Sequence, residues 1–396
     1  MAQKGKRMCG MKHEDSHPFF KFLGPFLFIF ALSTLILFGC SPEPASRDGG
    51  ENGKGHSAQT AGKGQGDQEE KFKVKPVTVE EGEIQSINGW VGKNILAFTV
   101  AEQEGTKVIT HNIKTGKQQT IYEDEEPIAA VTVSPSGKYL LIQSPAGNES
   151  TLTIIDHEGA QLAEETMELY ELAVEWNPFD ENSLLLSVFN EDWEFQVYHF
   201  QISGNLLEKI GLPEPFAQWI SKDDLFYLDW SEQSPSLFAP MKTMGLLNGE
   251  AKTVLDDLIK AEALPEGIVA LSVDQEQEGM AEYTFYDGGF RRVSSFSMPH
   301  LTRYSDWLVP YYAYDQSAGH FYTFEPLYST EADAYAEGFR LISYSPDEQI
   351  KDTIFEEMEN EPLSCAPEGS WCLYGFYFEK LLNMADKTTV DLVKKE

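Results

Sequence analysis

The chain reads as all-β, a single β-propeller of four-stranded blades, and three observations carry that reading. A strand–turn–strand unit recurs along almost the whole length. Its first four copies begin at Ile84, Ile128, Leu172 and Phe216, a constant step of 44 residues. Each copy is followed by two further short strands, and four strands per repeat of about 40–45 residues is the signature of propeller blades.

In order, the hairpins occupy residues 84–100, 128–144, 172–188, 216–230, 261–273, 301–314 and 362–378. The second is the clearest. Its first strand alternates into the Ser134-Pro-Ser-Gly137 turn and the chain emerges as KYLLIQS, two apolar runs around a Gly/Pro turn. Residues 107–112 and 117–122 complete the first unit, 194–201 and 206–210 the third, 281–287 and 290–297 the fifth, and 380–386 and 388–393 the seventh. Seven blades is the direct reading, with six the alternative if the faint fifth or sixth copy is an excursion from a neighbour. An insertion at 327–338 delays the last hairpin. Segment 73–80, KVKPVTVE, is left over and is free to pair with the last blade and seal the ring. Only 252–264 has helix-like spacing, and it is expected to cap a loop.

The remaining features of the sequence give the chain an address. Residues 1–21 carry Lys4, Lys6, Arg7, Lys12 and Lys21, and an apolar run from Phe22 ends at Cys40. This is the layout of an export signal. Leu37-Phe-Gly-Cys40 resembles the bacterial lipobox, in which the signal is cut before a cysteine that takes diacylglycerol; Phe38 departs from the small residue usual there. The expected organisation is a lipoprotein signal peptide at 1–39, a lipidated Cys40 with a disordered polar tether at 40–72, and the propeller at 73–396. Cys9 leaves with the signal, and Met8 or Met11 is an alternative start. A transmembrane anchor is disfavoured, because the residues after Cys40 are polar and carry no basic stop-transfer cluster. Acyl chains on Cys40, palmitate among them, would hold the protein to the cell membrane at its extracytoplasmic face. The tether is rich in glycine and lacks aromatic residues, so it cannot offset its ordering entropy and spans about 30 Å as a coil.

Composition narrows the function. Acidic residues outnumber basic ones 64 to 30, a net charge of −34. Nucleic acid is excluded as a partner, since phosphate binding needs clustered Lys and Arg. Cys365 and Cys372 flank the turn of the last hairpin, face each other across it, and are expected to form a disulfide outside the membrane. No histidine pattern marks a metal site, and neither a Gly-x-Ser-x-Gly elbow nor a phosphate loop occurs. No catalytic residue, metal or cofactor is assigned. Glu123–Glu126 and Asp180–Asn182 read as solvated turn charge rather than calcium ligands. Trp90, Trp176 and Trp219 each end the first strand of their unit and are expected to pack between blades.

Candidate ligand-binding residues lie in the connections that differ between copies. They are Asp192 and Trp193, after the second strand of unit three, and Tyr311, Tyr312, Tyr314 and Asp315, read as ending the second strand of unit six. Aromatics beside carboxylates suit a sugar or a basic peptide.

The lipobox, the polar tether, and hairpins such as VSPSGKYLLI and WNPFDENSLLLSVF resemble the YqgU-like β-propeller lipoproteins of spore-forming, low-GC Gram-positive bacteria. The resemblance covers about residues 75–396. It implies a propeller on the outer face of the cytoplasmic membrane, often described as six-bladed, and brings no activity or catalytic residues. The leading expectation is a membrane-anchored binding or scaffold module for envelope proteins or glycans. The alternative is a propeller enzyme, a hydrolase or lyase, with its site at the central channel. An enzyme should gather polar groups and perturbed carboxylates in that channel, whereas a binding module should show an aromatic face without such a cluster. An assembly factor resembling TolB-like propellers is a third possibility.

Overall fold

Leu140, Leu141 and Ile142 are all buried although they are consecutive. In a strand, neighbours point to opposite faces, so both faces of this sheet are covered. Leu140 and Ile142 join a core shared with the preceding sheet, through Val91, Ala97 and Val108. Leu141 joins a core shared with the following sheet, through Trp176, Leu184 and Leu186. Leu185, between those two leucines, turns the other way and packs on Trp219 and Leu225 of the sheet after that. Apolar residues on both faces of every second strand are what force sheets to stack face to face around a ring.

The computed structural model describes residues 72–393 apart from 231–235, 247, 274–278 and 305. The signal, Cys40 and all but the last residue of the tether lie outside the described residues. Among the described residues the chain forms seven four-stranded antiparallel sheets, each a simple meander, and one small three-stranded sheet. The first strands of the seven are Glu83–Gly92, Ala130–Val133, Glu171–Trp176, Gln218–Trp219, Lys260–Leu264, Tyr312–Asp315 and Leu363–Cys365. First strands touch between the first and second, third and fourth, fourth and fifth, and sixth and seventh sheets, which places them around the axis. Seven hydrophobic cores follow, each between consecutive sheets, and the one holding Trp90 and Phe98 with Trp371 and Leu373 joins the first sheet to the last. The ring is closed.

The seam is also stitched by the leftover N-terminal segment. Val77 forms a parallel bridge to Val393, and its N–H donates to the Leu392 carbonyl at 2.8 Å. Lys75 N–H donates to the Ile113 carbonyl of the first sheet at 2.7 Å. The buried His111 ring nitrogen Nε2 lies 2.8 Å from the Lys75 carbonyl, and Nδ1 lies 3.3 Å from Gln118 Nε2, which fits a ring protonated at Nε2.

Two expectations are corrected. Residues 252–264 are not helical; they form the strands Ala251–Leu258 and Lys260–Leu264. The helix-like spacing arises from a bulge. Register shifts between Ala239 and Lys242 insert extra residues around Asp257, which takes φ 56°, so Val254, Leu255 and Leu258 leave the two-residue alternation. The sixth unit is also displaced. Leu301–Thr302 and Trp307–Leu308 pair with each other in the small side sheet, which Thr330–Glu331 joins in parallel. The first strand of the sixth sheet is Tyr312–Asp315 and its second is His320–Glu325. Tyr312, Tyr314 and Asp315 therefore stand on the innermost strand rather than at the end of the second.

The three recurring tryptophans are buried between sheets. Trp90 Nε1 donates to the Ser364 carbonyl at 2.9 Å across the seam, and Trp219 Nε1 donates to the Glu175 carbonyl at 3.3 Å. Cys365 and Cys372 are opposite each other in register and form a disulfide.

Candidate binding face and axial cavity

In an antiparallel meander the first strand begins, and the second ends, at the same end of the sheet. That rule assigns seven exposed aromatics to one face of the ring, while Phe179 is exposed in a turn at the other. Tyr170, Phe216 and Tyr311 immediately precede first strands or lie within two residues of them, while Trp193, Trp230, Phe376 and Tyr377 follow second strands. All seven are exposed, Trp193 at 61% and Phe216 at 69%. At the opposite face the turns are capped by polar side chains. Ser134 Oγ accepts from Tyr139 N–H, and Asn177 Oδ1 accepts from Phe179 and Asp180 N–H. The two faces therefore differ in chemistry.

The densest aromatic group surrounds the third sheet. Phe189, ending the strand Ser183–Phe189, has ring centroids 6.1 Å from Trp193 and 5.9 Å from Phe216, and Trp193 meets Tyr170 edge-on at 5.9 Å. Asn190 organises the loop beneath: its Oδ1 accepts from Asp192 and Glu194 N–H at 3.0 and 2.9 Å. This turn holds Trp193 at φ 63°, with its ring on the surface. A shallow depression beside it is lined by Glu168, Glu191, Asp192 and Glu194. Across the ring, Tyr311 packs edge-on against Phe376 at 6.2 Å.

A cavity of about 490 Å³ lies against the first strands of the third, fourth and fifth sheets, with Phe216 and Trp230 of the aromatic face in its lining together with Glu175, Gln218, Lys260 and Glu262. Glu175, Gln218 and Glu262 come from the first strands of the third, fourth and fifth sheets. The sixth sheet adds Tyr312, in hydrogen-bonding contact with Glu262. Lys260 pairs with Glu262 at 2.9 Å and sits 5.2 Å over the Tyr312 ring. Gln218 is spent on the next sheet: its Oε1 accepts from Ala263 N–H at 2.8 Å.

Glu175 is different. No cation or donor is paired with its carboxylate among the described residues. It is half-buried, and desolvation, followed by the charge of Glu262, pushes its carboxyl up to about 8. Burial, then Glu262, likewise raises the Tyr312 hydroxyl. Among the described residues no group of three or more His, Cys, Asp or Glu is placed to hold a metal.

The sequence-singled residues are thus distributed rather than gathered. Trp193, Asp192 and Tyr311 are on the aromatic face, and Tyr312 is at the axis. Tyr314 is half-buried, and Asp315 is buried at the far end, where its Oδ1 accepts from Ser317 and Ala318 N–H as a turn cap. Glu175 and Glu262 were not singled out. The available signal was position: Glu175 and Gln218 each precede an inter-sheet tryptophan, and alternation turns the residue before a buried one toward the axis.

Seven four-stranded sheets around an axial cavity define a β-propeller protein. The chain belongs to the YqgU-like β-propeller family: residues 112–375 match the YqgU-like 6-bladed beta propeller domain. It is 25% identical over 327 residues to the uncharacterized lipoprotein YqgU of Bacillus subtilis (strain 168), covering 82% of this chain and 88% of that protein. The crystal structure of the uncharacterized protein lmo1340 from Listeria monocytogenes EGD-e superposes with a TM-score of 0.75 at 20% identity, over 81% of this chain and 98% of that one. The β-propeller domain of the Trilobed protease from Pyrococcus furiosus gives 0.52 at 12% identity, over 80% and 99%. These two show the fold. The family description counts six blades. The matched stretch takes in five of the present sheets whole, from Ala130 to Met358, with parts of the first and the seventh.

Proposed function

We propose that the protein is a lipid-anchored, extracytoplasmic binding module, whose seven sheets act as seven blades and present an aromatic face to envelope glycans or proteins. The carrying observation is the concentration of exposed aromatics at one end of the sheets, seven against Phe179 alone among those placed at the other. Solvent-exposed rings that leave a depression and a cavity between them are suited to stacking on sugar rings or to docking apolar side chains. Anchoring through Cys40 is supported by the lipobox and by the lipoprotein relative. The test is co-sedimentation of the full-length protein with isolated cell-wall glycan. Trp193→Ala combined with Phe216→Ala should reduce retention about tenfold or more, since aromatic anchors dominate such surfaces. Unchanged retention by that double variant would refute the aromatic face as the binding surface.

The enzyme alternative is favoured by one observation, the raised Glu175 carboxyl beside Glu262 at the axis. In that reading Glu175 is a proton donor to a bond cut at the cavity. Shortened glycan products that appear with the wild type and vanish with Glu175→Gln would select it.

A further inference from the structure

Carboxyl groups outnumber cations in the lining of this cavity. Glu175, Glu214 and Glu262 line it against one cation, Lys260, and that cation is held by Glu262. Glu214 Oε1 accepts from Trp230 N–H at 3.1 Å, so this carboxylate is engaged at the mouth. Among the described residues Glu175 alone of the three has no partner for its carboxyl group. A desolvated carboxyl without a partner is held in its neutral form until a cation completes it. Of the groups that face it, Gln218 is committed to the fifth sheet, Tyr312 to Glu262, and the Trp219 indole to the backbone of Glu175 rather than its carboxylate.

We infer that the cavity takes an amino sugar, its primary ammonium completing the Glu175 carboxylate and its ring lying between Phe216 and Trp230. This rests on the reading of the aromatic face as a binding surface and specifies the ligand there. The volume is that of a site for a small saccharide. Flat rings at the mouth match the apolar face of a pyranose, whereas a lysyl side chain would leave them uncovered. The electrostatics add a signature. At neutral pH Glu175 carries its proton for most of the time. Ammonium binding converts it to the carboxylate and releases the proton to solvent, so affinity rises with pH up to about 8.

The experiment is calorimetry on the full-length protein in detergent with three probes: a glucosamine disaccharide, its N-acetylated form, and Nα-acetyl-lysine amide. The glucosamine disaccharide should bind about tenfold or more tightly than the N-acetylated form, the gain from one charge-assisted contact. Its binding heat should depend on buffer ionisation, reporting proton release. Glu175→Gln, which keeps the side-chain shape, should abolish both effects, while Asp256→Asn, on the outer strand of the fourth sheet away from the cavity, should keep them. Equal binding of the two disaccharides, or a preference that survives Glu175→Gln, would overturn the inference. Equal or tighter binding of the lysine amide would overturn the sugar assignment. If the Trp193/Phe216 double variant still loses glycan retention in those cases, the binding-face reading stands and only the ammonium site fails.

Discussion

Gly137 shows how tightly one residue is bound into this ring. It closes the Ser134–Gly137 turn at φ 77°, and a Cβ there would lie 2.6 Å from Val91 Cα and 2.7 Å from the Trp90 carbonyl of the preceding sheet. Gly137→Ala combines left-handed strain with a backbone clash and should cost about 2 kcal/mol or more, read as a lower urea midpoint. Its neighbours serve the same turn. Ser136 N–H and Oγ both donate to the Glu181 carboxylate of the next sheet, at 2.7 and 2.5 Å, and the Lys138 ammonium lies 4.7 Å over the Tyr139 ring. Turn chemistry of this kind was legible in the sequence, because Ser, Pro and Gly carry local conformational preferences. Trp193 was legible too, as an aromatic in a copy-specific loop. Glu175 was not, because its property comes from what surrounds it, and Glu262 lies 87 positions further along.

Elements were read well where their pairing is local. The hairpins at 84–100, 128–144, 172–188 and 261–273 fall on the first two strands of their sheets, because alternation and a short turn specify an antiparallel neighbour. The sixth failed for the converse reason. Residues 301–308 do make a hairpin, yet their sheet is completed by Thr330–Glu331, a long-range choice that no local pattern announces. The bulge at Asp257 misled the strand Ala251–Leu258 in the same way, and Glu357 repeats it in the sixth sheet at φ 55°. Two tests belong at this scale. Replacing Cys365 and Cys372 together by Ser should lower stability by about 2 kcal/mol through the freed short loop, measured by denaturation against the reduced wild type as control. Val77→Pro removes the donor to the Leu392 carbonyl and should raise hydrogen exchange in the strands Lys380–Asn383 and Thr388–Asp391, leaving the third and fourth sheets unchanged.

For the whole molecule, buried titrating groups set the pH range of stability, and they act in opposite directions. His111, His199 and His300 all have pKa values lowered chiefly by burial, and His199 is 2.6 Å from Ser183 Oγ in the same sheet. The unfolded chain takes up protons on these rings first. Stability is therefore full above the ordinary histidine value and is lost as pH falls below about 6.5 toward the folded values. Glu175 has a folded value above its unfolded one. Its contribution is present below the ordinary carboxylate range and lost as pH rises through about 8. Glu175→Gln should accordingly raise the melting temperature at pH 9 and change it little at pH 5. A larger gain at pH 5 than at pH 9 would contradict the burial of this carboxyl. The ring itself was visible in the 44-residue step, and its seal in the leftover segment 73–80, which does meet the end of the last sheet at Val393; no local pattern shows which core the two would share.

That segment has a mechanical meaning. The last sheet is built wholly from C-terminal residues, so no strand exchange locks the ring, and the seam is held by one hydrophobic core, the Trp90–Ser364 hydrogen bond and the Lys75 and Val77 hydrogen bonds. Everything N-terminal to Phe72 enters the body through this stitch. A pull delivered along the chain from that side loads the seam before it loads any sheet.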